Sequence, residues 1–293
     1  MRIWKHIFLF LLLVLAVIII AIIQLPDSNL HIIACNVGQG DAILVTYKTM
    51  QILTDGGPDA KVLDCLGRYM PFYDREIELV ISTHPDSDHS TGLVEVMDRY
   101  KVDKLLINSI DPGTDIYRLL RKEVGGKGIS VINPVEGMKL RLGLIYLDIL
   151  SPSEDLFSKL TIIDSDDNLS RYSISKETNL YSIVYKLSFG KFTGLLLGDI
   201  PPEVSDTLAN KLALDGVEWI KIPHHGSRNG LTENLLNKVM PGIAVISVGK
   251  NNWGLPSQEV LDLLAKYNVK VFRTDKVGDI VVVSDGERVW MKN

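Results

Sequence analysis

Seventeen consecutive apolar residues, "IFLFLLLVLAVIIIAII" (residues 7–23), carry no charge and cannot all be hidden on one face of a water-soluble domain. As a helix rising ~1.5 Å per residue, the run nearly crosses a hydrocarbon core of ~30 Å, and Gln24 and Leu25 extend it. Arg2, Lys5 and His6 precede the run and Asp27 follows it. The positive-inside rule then keeps the N-terminus in the cytoplasm and sends residues 26–293 outward. A cleaved signal peptide is the competing reading, but no A-x-A-like site follows the run. The lipobox-like "IIAC" (32–35) is set apart from the run by "QLPDSNLH" and falls in an expected strand. We expect residues 1–25 to be a single-pass anchor in the cell membrane. Residues 26–293 would form one extracytoplasmic domain.

The chain is 46% hydrophobic and 23% charged, which excludes a disordered protein. Without Arg2 and Lys5, 29 bases face 36 acids, a net charge of −7. A protein that grips nucleic acid regardless of sequence carries a basic excess, so any such contact here must be local. Cys35 and Cys65 form no CxxC pattern and cannot build a disulfide framework. Two buried free thiols are the expected state. One long-range disulfide is the alternative for an exported domain.

After the linker "LPDSN" (25–29), short apolar runs alternate with turn residues. "HIIACNV", "AILVTY", "MQILTD", "IELVIST", "VDKLLIN", "LIYLDIL", "YSIVYKLSF", "FTGLLLGD", "VEWIKIP", "IAVISVG", "VKVFRT" and "DIVVVS" read as strands. "AKVLDCLGRYM", "TGLVEVMDRY", "DIYRLLRKEV", "VSDTLANKLAL" and "QEVLDLLAKY" have helical spacing. Many strands with helices at intervals fit a two-sheet sandwich flanked by helices. The polar stretch 151–178 reads as an irregular surface insertion.

Chemistry gathers where apolar strands end. "THPDSDH" (83–89) places two histidines and two aspartates after "IELVIS". Pro85 favours an extended His84. An extended chain would put His84, Asp86 and Asp88 on one side, with His89 following as the chain turns toward a helix. Imidazole and carboxylate ligands together suit Zn, Mn or Fe. A helix cap would explain one acid here, not all four side chains. "KIPHHGS" (221–227) puts His224 and His225 at another strand end. "LLLGDI" (195–200) ends in Asp199, which could instead cap the next helix beside Pro201. "ILTDGG" (52–57) ends in Asp55. Strand ends can converge on one rim of a sandwich.

These motifs, in this order, resemble the metallo-β-lactamase fold superfamily. Within it they resemble the extracellular hydrolase domain of ComEC-type DNA-uptake proteins. "NVGQGDAILV" (36–45), "ILTDGG", "THPDSDHSTGL", "TNLYSIVYKLSFGKFTGLLLGDI" (178–200), "KIPHHGS" and "SVGKNNWGLPSQEVLDLL" (247–264) carry the resemblance over about residues 30–290. It implies an α/β fold, a four-layer αββα sandwich behind one N-terminal transmembrane helix. It also implies two divalent metal ions, Mn or Zn. By position, His84 and Asp86 would hold one metal, Asp88, His89 and His225 the other, and Asp199 would bridge them. Catalysis would fall to Asp88, Asp199 and His224, with Asp55 supporting the ligands. Asn36 stands where the family opens with Asp. Leu255 stands where the ComEC-type branch tends to have His. Those proteins also carry a multi-helix channel, which this chain would need a separate protein to supply.

The implied activity is that of a membrane-anchored phosphodiesterase or nuclease in which two metals ionise a shared water. Its substrate would be a phosphodiester such as single-stranded DNA. Lys221, Ser227, Arg228, Lys250, Asn252 and Arg273 are candidate substrate contacts, with Trp253 as a stacking surface. Hydrolysis of a cell-envelope phosphoester, in the manner of phosphorylcholine esterases, or of another small ester is the first alternative. A non-catalytic metal- or DNA-binding module is the second.

Overall fold

The structure is a computed structural model that describes residues 2–23, 25–158, 160–162, 169, 171–174, 177–211, 214 and 216–292. The first half runs α1 (Arg2–Ile23), β1 (Leu30–Ala34), β2 (Ile43–Tyr47), β3 (Met50–Thr54), α2 (Lys61–Tyr69), β4 (Glu76–Ser82), α3 (Ser87–Arg99), β5 (Lys101–Ile107), β6 (Ile110–Asp111), α4 (Asp115–Lys127) and β7 (Ser130–Ile132). The second runs β8 (Lys139–Leu142), β9 (Ile145–Ser151), α5 (Glu154–Phe157), β10 (Thr161–Ile162), β11 (Tyr172–Ser173), β12 (Val184–Phe189), β13 (Phe192–Leu196), α6 (Pro202–Lys211), β14 (Trp219–Lys221), α7 (Glu233–Val239), β15 (Ile243–Ile246), α8 (Gln258–Lys266), β16 (Lys270–Arg273), α9 (Thr274–Val277), β17 (Ile280–Ser284) and β18 (Val289–Lys292).

Among the described residues, one sheet has the order β18-β17-β1-β2-β3-β4-β5-β7 and a second the order β16-β15-β14-β13-β12-β9-β8. Alternation along the strands builds three apolar layers. Ile32, Val45, Ile52 and Ile81 of the first sheet meet Leu147, Tyr185, Leu187 and Trp219 of the second. The other face of the first sheet packs Ile33, Leu44, Leu53 and Val80 against Val62, Leu66, Leu93 and Tyr117 of α2, α3 and α4. The other face of the second packs Leu195, Ile220 and Ala244 against Leu208, Leu235 and Leu264 of α6, α7 and α8. Helix, sheet, sheet and helix therefore stack as the expected αββα sandwich.

Strand direction places the site. β3, β4 and β5 run parallel, as do β13, β14, β15 and β16. Parallel strands end at the same edge of their sheet, so Asp55 and His84 leave one sheet together, and Asp199 and His224 leave the other.

Helix α1 has no acidic residue, and its residues 3–20 are exposed. Residues 3–22 are long and apolar enough to cross a membrane. The expected extension through Gln24 lies outside the described residues, as do the end of the expected helix at 212–213 and residues 163–168 of the expected insertion. The described part of that insertion is not irregular throughout but holds α5, β10 and β11, with β11 paired to β6. Periodicity missed α7, a short helix whose start is capped by Thr232, whose hydroxyl accepts from Leu235 N–H at 3.2 Å.

A further expectation is corrected. Cys35 and Cys65 are not free thiols but a disulfide with Cα atoms 5.9 Å apart. Packing of α2 across the first sheet brings Cys65 onto the residue that follows β1, a juxtaposition that sequence spacing does not reveal. The bond closes a loop across a separation of 30 residues. We expect the Cys35→Ser/Cys65→Ser double variant to lose about 2–4 kcal/mol of stability, read from denaturant unfolding of the full chain in detergent. Free thiols in the unreduced protein would contradict the pairing.

Candidate metal centre

Asp55 follows β3 in a left-handed conformation, φ +59°. Its Oδ1 accepts the Thr83 N–H at 2.8 Å and its Oδ2 the Thr83 hydroxyl at 2.7 Å. The same Oδ2 lies 2.8 Å from His89 Nδ1. Thr83 has thus given its own proton to Asp55, so its Oγ1, 3.0 Å from His84 Nδ1, accepts there. His225 Nδ1 lies 2.9 Å from the Ser247 carbonyl, which can only accept. All three imidazoles therefore carry a proton on Nδ1 and turn Nε2 toward a common centre.

Asp199 occupies that centre. Its Oδ2 lies 3.3 Å from His89 Nε2 and 3.4 Å from His225 Nε2, while its Oδ1 accepts the His224 N–H at 3.2 Å. It does not cap the following helix. Asp88 Oδ2 lies 3.2 Å from His225 Nε2. His224 and His225 both take left-handed backbone angles, φ +51° and +52°. Such strain in residues other than glycine concentrates at functional sites. Gly40 fits closely here: a side chain would meet the Asp88 carbonyl at 2.2 Å, and the next residue, Asp41, donates its N–H to that carbonyl at 3.2 Å.

Among the described residues, three sets of ligand atoms each lie within 4.8 Å of one another: two are His84 with His89 and Asp199, and Asp88 with His89 and His225, and the third joins Asp41, Asp55 and His89. The residues fit metal ions on two observations. Nε2 of His84 is buried without a hydrogen-bond partner, and the buried Nε2 of His89 has the Asp199 carboxylate beside it at 3.3 Å. Asp41, Asp55 and Asp199 are each at most 3% exposed, and one buried lysine accompanies them. Two buried negative charges remain uncompensated, and divalent ions would supply the balance.

Protons take that role otherwise. Burial opposes a charged His89, but the carboxylates of Asp199 and Asp55 outweigh it and raise its pKa well above the ordinary value. His225 is likewise raised, to about 10, against burial and by Asp199 and Asp41. Burial and the neighbouring His89 lower His84. Burial pushes Asp199 up, yet His89 and His225 hold it well below the carboxylate range.

The structure alters several expected placements. α3 starts at Ser87, so Asp88 sits in its first turn rather than on an extended face with His84 and Asp86, and His89 follows it within that turn. Asp86, at φ −70° and ψ 149°, keeps an extended backbone as the N-cap. Asp86 lies outside all three ligand sets: its Oδ1 accepts the Thr178 hydroxyl at 2.6 Å and its Oδ2 stays 3.7 Å from His84 Nε2. His89 contributes to all three sets, rather than splitting from His84.

A cavity of about 580 Å³ opens over the centre, walled by Gln39, Asn179, His224, Ser227, Arg228 and Trp253. Leu255 also lines it. Lys221 is no substrate contact: it is 2% exposed and pairs with buried Asp41. Lys250 and Asn252 lie on the Trp253 loop but outside the cavity wall, and Arg273 is engaged by Asp275 at 2.7 Å. Asn36 is exposed away from the centre, its N–H donated to Asp279 at 2.8 Å. Asp41 was missed. Its Oδ1 lies 3.4 Å from His225 Nδ1, and it precedes β2 instead of ending a strand, so the strand-end pattern passes over it.

The fold defined by these layers is the metallo-β-lactamase fold. YhfI from Bacillus subtilis, a protein of that fold, superposes with a TM-score of 0.56 at 12% identity, covering 87% of this chain and 100% of YhfI. In sequence the chain is similar to ComE operon protein 3 of Bacillus subtilis, 26% identical over 211 residues, which is 70% of this chain and 24% of that protein. It is also similar to Recombination protein 2 of Haemophilus influenzae, 25% identical over 269 residues, 88% of this chain and 29% of that protein. The chain thus spans about a quarter of the length of these relatives. No family model matches it.

Two predictions follow from the charge balance. His225 is raised from ~6.5 in an unfolded chain to about 10, so its stabilising contribution is complete below pH ~6.5 and lost as pH rises through about 10. The melting temperature of the metal-stripped chain should therefore fall from pH 7 to pH 10, and a flat profile would refute the assignment. Lys221→Met should cost about 3–5 kcal/mol by leaving Asp41 buried and unpaired, against less than ~0.5 kcal/mol for exposed Lys250→Met, both by chemical denaturation.

Proposed function

We propose that the chain is a membrane-anchored, metal-dependent hydrolase of phosphodiesters, with DNA as the substrate class. The observation that carries this reading is the clustering of ligand atoms of His84, His89, His225, Asp88 and Asp199, of which Asp88, Asp199 and His225 line an open cavity. His84, His89 and Asp199 would hold one divalent ion and Asp88, His89 and His225 would approach a second, with Mn or Zn suited to the donors. When bound, such ions supply Lewis-acid charge and an ionised water for attack at phosphorus.

The chain's own residues prepare that chemistry. Asp55, Thr83 and the Ser247 carbonyl fix the three imidazole tautomers. The Asp41–Lys221 pair backs His225 from below. His224 faces the cavity with Nδ1 buried, which leaves Nε2 as the nitrogen that meets the substrate and protonates the leaving oxygen. Ser227 and Arg228 line the wall beside it and are placed to bind phosphate oxygens.

Helix α1 supports anchoring in a membrane. The Cys35–Cys65 disulfide supports an outward-facing domain, because such bonds persist in oxidising compartments. A separate channel protein is the partner we propose, on the resemblance to ComEC-type proteins alone.

The test is cleavage of single-stranded DNA and of a small phosphodiester reporter by the full chain in detergent, with Mn or Zn. We expect metal-dependent cleavage of both, lowered about 10²–10⁴-fold in His224→Ala. Cleavage of the reporter alone would instead point to an envelope phosphoester. Cleavage of neither would refute the phosphodiester reading.

A further inference from the structure

Trp253 is 74% exposed on the wall of the cavity that contains Asp88, Asp199 and His225. An indole left in water forfeits the burial of a large apolar surface. Its loop is nevertheless ordered by one side chain. Asn251 Oδ1 accepts the N–H groups of Trp253 at 3.1 Å and Leu255 at 3.0 Å. Asn251 Nδ2 donates to the carbonyls of Gly249 at 2.9 Å and Leu255 at 3.0 Å. The Gly249 N–H reaches Gln39 Oε1 at 3.2 Å, which ties this loop to the one before β2. Gly254, at φ +73°, turns the chain back directly after the indole, a conformation that glycine adopts freely.

Arg228 lines the same cavity, is exposed, and has no acidic partner among the described residues. An exposed indole on an ordered loop and an unpaired guanidinium, both on the wall of one cavity, suit a ligand with a planar ring and a phosphate. Trp253 is the one Trp, Tyr or Phe among the cavity's lining residues, so those residues form no aromatic cage for a quaternary ammonium.

We propose that Trp253 and Arg228 form a nucleotide grip, in which Trp253 stacks on an unpaired base and Arg228 holds a neighbouring phosphate. This rests on the phosphodiesterase reading above and assigns its base contact and a phosphate contact to two side chains, Trp253 and Arg228. In a duplex both faces of a base are covered by its neighbours, leaving none for the indole.

The test measures binding rather than cleavage. The full chain in detergent, silenced by Asp199→Asn, is titrated by anisotropy with labelled oligothymidylate and with an abasic oligomer of equal length. The metal-stripped parent chain serves as a second measurement should Asp199→Asn fail to fold. We expect Trp253→Ala to weaken oligothymidylate binding about 5- to 150-fold, the range of base–aromatic stacking, and to leave abasic binding unchanged. Trp253→Phe should restore most of the loss, and Arg228→Ala should weaken both ligands. Oligothymidylate binding unchanged in Trp253→Ala would overturn the grip, as would equal binding of duplex, or a Trp253→Ala effect confined to lipid vesicles. Base-dependent binding in a parent chain that cleaves nothing would support the grip while removing the hydrolase reading.

Discussion

Negative charge buried at the seam between the sheets is the constraint from which the rest of the site follows. Asp41, Asp55 and Asp199 are all withdrawn from water, and Lys221 neutralises only one of them. A buried carboxylate without a counter-charge is too costly to keep. The remaining compensation comes from protons on His89 and His225, or from cations bound among the imidazoles. That dual capacity is what a metal centre requires: ligands held deprotonated only when something else supplies the charge.

The sandwich makes this concentration of charge feasible. Parallel strands deliver their ends to one rim, so short loops from both sheets meet without long side-chain reach. The cost appears in the backbone, where Asp55, His224 and His225 adopt left-handed angles. Each strained residue is fixed by its neighbours: Asp55 by Thr83 and His89, His224 by Asp199, and His225 by Ser247. The disulfide adds a covalent tie to the loop that carries Gln39 and Asp41, close to the point where that loop touches Asp88.

Much of this was legible because apolar runs and their polar ends are local signals. The runs before Asp55, His84, Asp199 and His224 mark strands, and their ends mark the rim. What escaped depends on tertiary packing or on weak periodicity. Lysine is normally a surface residue, yet β14 is an inner strand covered on both faces, so Lys221 is buried with Asp41. The first turn of α3 is polar, so apolar spacing revealed that helix only from further along, and Asp88 was placed on extended backbone. The cysteines lie 30 residues apart, and only the packing of α2 across β1 makes them partners. An exposed Trp253 has the same sequence signature as a buried one. Its loop chemistry, centred on Asn251, shows the difference.

The most direct measurement is the metal content of the purified full chain after equilibration with Mn or Zn. It would be read by elemental analysis, and the ions located by anomalous scattering. Compensation of the buried carboxylates by cations predicts two ions per chain, both beside Asp199 and His89. A folded protein that binds none, with His89 still in direct contact with Asp199, would contradict it.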